Sequence, residues 1–215
     1  MTRKIFVTAT NTDVGKTFAT LTLMEMAAER GLRPVAFKPI ETGVGEEGPA
    51  DGLALLEAIR RLNPDAARLS IEEIVPCRYA LPAAPFVAKA GHPIPWERIE
   101  SALKRLETAG DILFIEGAGG LMVPIDEQRS MIDLPLLFDT HTTLLVAPGR
   151  LGAINDTLLS LEALQRRHIP YHLTINLRHN ERKAFERATR PYYDAIGLPY
   201  RLLDQEAKML LEEMF

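Results

Sequence analysis

Gly15-Lys16-Thr17, a lysine before proline at Lys38, Asp51, and a glutamate opening a glycine-rich turn at Glu116 are the residues best suited to chemistry. The triplet closes the stretch Thr8-Ala9-Thr10-Asn11-Thr12-Asp13-Val14-Gly15-Lys16-Thr17, which follows the apolar run Lys4-Ile5-Phe6-Val7. Phe18, Leu21, Met24 and Ala28 come next, at spacings that predict one face of a helix. Strand, small-residue loop and helix is the layout of a phosphate-binding loop. Backbone N–H groups at a helix N-terminus point at an anion, and the helix dipole adds partial positive charge. Gly15 lets the main chain approach phosphate, Lys16 would bridge the terminal phosphates, and the Thr17 hydroxyl would hold Mg²⁺. Thr10 and Ala9 stand where the usual pattern has a glycine.

Three further candidates each end an apolar run. Pro34-Val35-Ala36-Phe37 predicts a buried strand ending at Lys38, Ile112–Ile115 one ending at Glu116, and His172–Ile175 one ending at Asn176. Lys38 is either an exposed lysine or a second cation facing phosphate or a reacting carboxylate. A buried carboxylate at Glu116 would be costly without a partner, which favours a bound cation there. Asp51 can be explained as the N-cap of a helix carrying Leu55, Ile59 and Leu62. Asn176 can end its strand or use its amide to read adenine. Arg178, His179, Arg182, Lys183, Arg187 and Arg190 read as a solvated helix face or, alternatively, a clamp for an anion. Neither Cys77 nor the five histidines have the spacing of metal ligands.

The elements that must position these groups alternate. Further helices are predicted around Ile99, Leu103 and Leu106 and around Ile154, Leu158, Leu161 and Leu164, with a strand over residues 142–147. Glycines and charges make residues 41–49 a loop, prolines break up residues 71–95, and an acidic tail runs from Asp204 to Phe215. Five strands without polar alternation predict an α/β fold, a mostly parallel sheet with helices on both faces. With the phosphate loop this becomes a P-loop NTPase-like, Rossmann-like three-layer sandwich, whose ligands bind beyond the strand C-termini.

At 215 residues, with 47% apolar and 25% charged residues, residues 1–215 are expected to form a single domain. A net charge of −4 argues against nucleic-acid binding. One cysteine excludes an internal disulfide, and no apolar stretch suits a signal peptide or membrane span, so the expected location is cytoplasmic.

Taken together, residues 8–17, Lys38-Pro39-Ile40-Glu41-Thr42-Gly43, Asp51, Pro82-Ala83-Ala84-Pro85, Glu116-Gly117-Ala118-Gly119-Gly120, Leu151-Gly152-Ala153-Ile154-Asn155 and Asn176 resemble dethiobiotin synthetase. The resemblance implies an ATP- and Mg²⁺-dependent ligase of biotin synthesis, which joins CO₂ to diaminopelargonic acid. It would proceed through a carbamate and a carbamic–phosphoric anhydride to a cyclic urea. It further implies that Lys16, Lys38 and Thr12 act in catalysis, and that Thr17, Asp51 and Glu116 hold Mg²⁺. Nucleotide would lie against Asp13, Val14, Gly15, Lys16, Thr17, Phe18, Asp51, Glu116, Gly117, Ala118, Gly119 and Asn176. Substrate would meet Thr12, Lys38, Thr42 and Asn155, the last contributed across a homodimer interface. The rival is a nucleotide-switched partitioning or positioning ATPase. Such proteins carry a further lysine early in the loop, and residues 9–14 contain none.

Overall fold

The computed structural model describes residues 2–178 and 180–215; His179 of the basic segment lies outside them. The strands are β1 (Arg3–Ala9), β2 (Pro34–Phe37), β3 (Ile40–Thr42), β4 (Cys77–Tyr79), β5 (Ile112–Gly120), β6 (Thr142–Pro148), β7 (Tyr171–Asn176) and β8 (Arg201–Leu202). The helices are α1 (Lys16–Glu29), α2 (Ala50–Leu62), α3 (Ile71–Ile74), α4 (Pro85–Ala88), α5 (Trp96–Leu106), α6 (Leu134–Leu137), α7 (Ala153–Arg166), α8 (Arg182–Ala184), α9 (Arg190–Ala195) and α10 (Leu203–Glu213). Six strands form one parallel sheet in the order β2-β5-β1-β6-β7-β8, while β3 and β4 pair separately.

Alternation along β6 shows why both faces must be covered. Leu144 and Val146 enter the core shared with Leu23 of α1 and Leu210 of α10. Leu145 and Ala147 point the other way, to Leu161 and Leu164 of α7. With every residue of β6 buried, neither face can be left to water. Among the described residues, no helix is long and apolar enough to cross a membrane.

The five expected strands are present, together with three that apolar patterning does not predict. β3 and β4 lie in stretches whose glycines and prolines hide a short pairing, and β8 has only two residues. The strand expected to stop at Ile115 continues as β5 to Gly120, so Glu116 lies inside it. α1 turns a different face to the core than its apolar spacing implies: Ala19, Leu23, Met24 and Ala27 are buried, and Phe18 is 57% exposed. The acidic tail is helix α10, whose Leu203, Ala207, Leu210 and Leu211 are buried while its acids face outward.

Candidate functional site

Four strand C-termini meet at one crevice. The loop between β1 and α1 reaches its shape with positive φ at Asp13 (56°) and Gly15 (99°), so the turn falls outside the Ala9–Thr10 positions where glycine is usual. Gly15 is required twice over, because a Cβ there would lie 2.2 Å from Asn176 Nδ2. The Ala19 N–H donates to the Gly15 carbonyl at 3.0 Å, which starts α1 directly after the turn. Lys16 and Thr17 thus occupy the first turn of a helix that has no side-chain cap, leaving its N–H groups for a ligand.

Lys38, one residue beyond β2, sits at the centre of the charges. Its Nζ donates to Glu116 Oε1 at 2.6 Å and to Asp51 Oδ2 at 2.7 Å. Glu116 is fully buried, and the Thr17 and Thr20 hydroxyls donate to its two oxygens at 2.8 and 3.0 Å. The exposed-lysine reading of Lys38 therefore fails, since it is 2% exposed. Asp51 is not the N-cap of α2, a position held by Pro49, and its side chain is spent on Lys38. Glu41 caps that helix instead, accepting from the Asp51 and Gly52 N–H groups at 3.0 and 2.9 Å.

The charges perturb one another. Burial lowers the pKa of Lys16 below the ordinary lysine value, and the Lys38 charge adds to this. Burial alone would do the same to Lys38, but Glu116 and Asp51 outweigh it and hold that pKa above the ordinary value. Burial pushes Asp51 upward, and the charge and hydrogen bond of Lys38 bring it below the usual carboxylate value. Burial raises Glu41, against the opposing N–H bond from Gly52.

Around this cluster lies a cavity of about 340 Å³ lined by Thr12, Asp13, Gly15, Lys16, Thr17, Lys38, Glu41, Thr42, Asp51, Ala118, Gly119 and Arg178. Thr12, Asp13, Thr42, Ala118 and Gly119 also line a second cavity of about 470 Å³, with walls from Pro82, Ala83, Ala84, Pro85 and Val123. Charged groups cluster in the first, and apolar side chains dominate the walls added by the second.

Most of the residues singled out from the sequence therefore converge here, with Gly117 joining through its carbonyl, 3.5 Å from Lys38 Nζ. Val14 is buried, and Asn176 donates its amide to the Val14 carbonyl at 2.9 Å, bracing the loop from behind. Asn155 lies outside the lining of both cavities, exposed on the first turn of α7. Arg182 and Arg190 pair with Asp204, Glu186 and Asp194, as a solvated face would. Arg178 departs from that pattern: it lines the first cavity and donates to the Asp13 carbonyl. Glu41 is a buried carboxylate of this site to which the sequence assigns no role of its own: it appears there only within Lys38-Pro39-Ile40-Glu41-Thr42-Gly43, and nothing in a glycine-rich stretch marks it as buried.

Thr17, Asp51 and Glu116 supply one hydroxyl and two carboxylates, the hard oxygen donors that Mg²⁺ prefers. The Lys38 ammonium satisfies both carboxylates, so the donor set accommodates positive charge and fits such an ion.

A family model described as an AAA domain matches residues 3–193. The ATP-dependent dethiobiotin synthetase BioD of Sulfurovum sp. (strain NBC37-1) is 47% identical over 89% of this chain and 90% of its own. The protein of the same name from Wolinella succinogenes is 40% identical over 99% and 98%. Among solved structures, a plasmid partition protein from Borrelia burgdorferi gives a TM-score of 0.58 at 11% identity, covering 100% of this chain and 96% of that one. The septum site-determining protein MinD of Pyrococcus horikoshii OT3 gives 0.53 at 16% identity, covering 93% and 79%. At these identities the two structures share the fold alone.

Proposed function

Because this chain belongs to the ATP-dependent dethiobiotin synthetase family, we propose that residues 1–215 act as one catalytic domain closing the ureido ring of dethiobiotin from diaminopelargonic acid and CO₂. One amine takes up CO₂ as a carbamate. A carbamate oxygen attacks the γ-phosphorus of ATP and expels ADP, giving a carbamic–phosphoric anhydride. The second amine then attacks the activated carbon and releases phosphate.

The observation that carries this reading is Lys38, a buried ammonium between Glu116 and Asp51 on the cavity that Lys16 and Thr17 also line. Phosphoryl transfer needs positioning and charge stabilisation above all. Lys16 would neutralise the phosphoryl oxygens, and Lys38 the carbamate and the transferring group. Thr12 and Thr42, shared by both cavities, would orient the carbamate and amines while the hydrocarbon chain lies along the apolar walls of the second cavity. Thr17, Asp51 and Glu116 would hold Mg²⁺, which would supply positive charge against the phosphates. Asp13 to Phe18, Glu116 to Gly119 and Asn176 would surround the nucleotide, Asn176 by supporting the loop at Val14. Holding both amines beside the activated carbon makes ring closure intramolecular, an advantage that can reach roughly 7–11 kcal/mol.

A homodimer is part of the proposal. Met122, Leu151 and Leu159 are large apolar side chains exposed by 62%, 88% and 59%, and Met122 and Leu159 border a groove with Val123 of the second cavity. A second copy covering them would bring Asn155 of α7 to its neighbour's substrate.

Purified protein given diaminopelargonic acid, bicarbonate, Mg²⁺ and ATP should release phosphate in step with cyclic urea. Nucleotide hydrolysis at the same rate without the diamine would favour the partitioning-type switch instead.

A further inference from the structure

We propose that Glu41 is a positioning residue for the metal-binding side of the site, fixing the first turn of α2 so that Asp51 faces Lys38 and Thr17. The proposal rests on the ligase reading only in giving Asp51 a role toward Mg²⁺.

The helix bearing Asp51 lacks a side-chain cap at its own N-cap residue. α2 follows the loop containing Gly43, Gly45 and Gly48, and its N-cap residue is Pro49, which has no side-chain acceptor. The first N–H groups of a helix have no partner within it. Both carboxylate oxygens of Glu41 meet that need, Oε1 taking the Asp51 N–H at 3.0 Å and Oε2 the Gly52 N–H at 2.9 Å. An acceptor ten residues upstream, on another element, therefore does what a local Ser or Asp usually does.

Steric fit says that this docking is tight. A Cβ at Gly52 would lie 2.1 Å from Val75 Cγ2 and 3.3 Å from Glu41 Oε2, so the turn is wedged between β3 and the segment after α3. Glu41 itself is 6% exposed, and its strand neighbour Thr42 faces both cavities. The backbone of Asp51 is held by Glu41 while its Oδ2 accepts from Lys38 at 2.7 Å. One carboxylate thus couples the strand bearing Thr42 directly to the helix bearing Asp51, across the loop that joins them.

The test compares Glu41→Ala and Glu41→Gln with wild type, alone and with Asp51→Ala. Expected for Glu41→Ala are a tenfold or greater rise in the Mg²⁺ concentration giving half-maximal rate, and kcat at saturating Mg²⁺ within about threefold of wild type. A readout independent of turnover follows from the same geometry. Hydrogen exchange in the peptide covering Asp51 and Gly52 should quicken at least tenfold, and Mn²⁺ should bind the ADP complex correspondingly more weakly. Glu41→Gln, which keeps one acceptor, should fall between, and it decides the matter alone if the alanine variant does not fold. In the Asp51→Ala background, loss of Glu41 should add less than twofold to the Mg²⁺ requirement. Unchanged exchange and unchanged Mn²⁺ binding would overturn the proposal. So would a shifted pH–rate profile with an unaltered Mg²⁺ requirement, which would make Glu41 a proton-transfer group. If wild-type protein makes no cyclic urea, the ligase reading fails, yet the exchange and Mn²⁺ measurements still decide the role of Glu41.

Discussion

Replacing Lys38 by methionine should damage the fold and the chemistry together, by separable amounts. The change keeps most of the side-chain length and removes the ammonium that bonds Glu116 at 2.6 Å and Asp51 at 2.7 Å. Removing one partner of a buried ion pair costs about 3–5 kcal/mol, because the other charge is left without compensation. Glu116 keeps its bonds from Thr17 and Thr20, and the Asp51 side chain is 43% exposed, so the low end, about 3 kcal/mol, applies. For a chain of this size that corresponds to a Tm lower by roughly 6–12 °C. The double variant Lys38→Met with Glu116→Gln removes both buried charges and should recover to within about 1 kcal/mol of wild type. Neither variant should recover activity, since losing one preorganised donor to developing charge costs about 10²–10³ in kcat. Urea or thermal unfolding of wild type, both singles and the double gives the coupling energy, and single-turnover phosphate release gives the chemical loss. Single effects that simply add in the double variant, or a Lys38→Met protein that unfolds like wild type, would refute a buried ion pair of this strength.

Gly15→Ala should abolish nucleotide binding, because both the φ of 99° and the 2.2 Å approach to Asn176 exclude a Cβ; titration with a fluorescent ATP analogue would show retained affinity if this is mistaken. Asn176→Ala removes the bond to the Val14 carbonyl and should weaken ATP and GTP binding alike, whereas selective loss of ATP in competition assays would indicate base reading. Lys16 has a pKa lowered by burial and by Lys38, so on raising the pH the folded protein loses this proton before the unfolded chain does. ATP affinity should therefore decline below the ordinary lysine value of about 10.4, and in Lys38→Met the decline should move to higher pH. ATP and Mg²⁺ should bind with positive coupling, at least tenfold in Kd by calorimetry; equal ATP affinity in Mg²⁺ and in EDTA would refute this.

Much of the site is legible in the sequence because phosphate chemistry restricts residue types at short spacing. Gly15-Lys16-Thr17 closing a small-residue loop after an apolar strand suits an anion far better than it suits a packed core, and Lys38, Glu116 and Asn176 all follow from looking where apolar runs end. Legibility stops where a residue's role depends on a partner distant in sequence. Asp51 looks like a helix cap in a linear reading, but Glu41 has displaced it from that task and Lys38 has drawn its side chain away. Phe18 matches a helical apolar pattern and is nonetheless exposed, because α1 is oriented by its packing on β1, β5 and α10. The same limit explains α10: its residues read as an acidic tail, and only its packing on α1 and on β7 of the sheet selects the apolar stripe of Leu203, Ala207, Leu210 and Leu211 for burial.

The charge arrangement also explains why this pocket should discriminate a metal–nucleotide complex from either component. Lys16 and Lys38 face Asp51 and Glu116, with the Asp13 and Glu41 carboxylates also on the lining and Arg178 engaged with the Asp13 carbonyl, so cations and anions are interleaved there. A triphosphate entering alone would place its charge beside two carboxylates. A divalent ion entering alone would approach an ammonium already bonded to both prospective ligands. With both present, Asp51 and Glu116 would be free to hold the metal, and Lys38 would be free to meet phosphate and carbamate. Binding on this view is an exchange of ionic partners inside a buried site. The positions of Asp51 and Glu116 then matter as much as their charge, because the exchange requires both to remain where Lys38 left them. Glu116 is held by two threonine hydroxyls, and Asp51 is held through its backbone by Glu41.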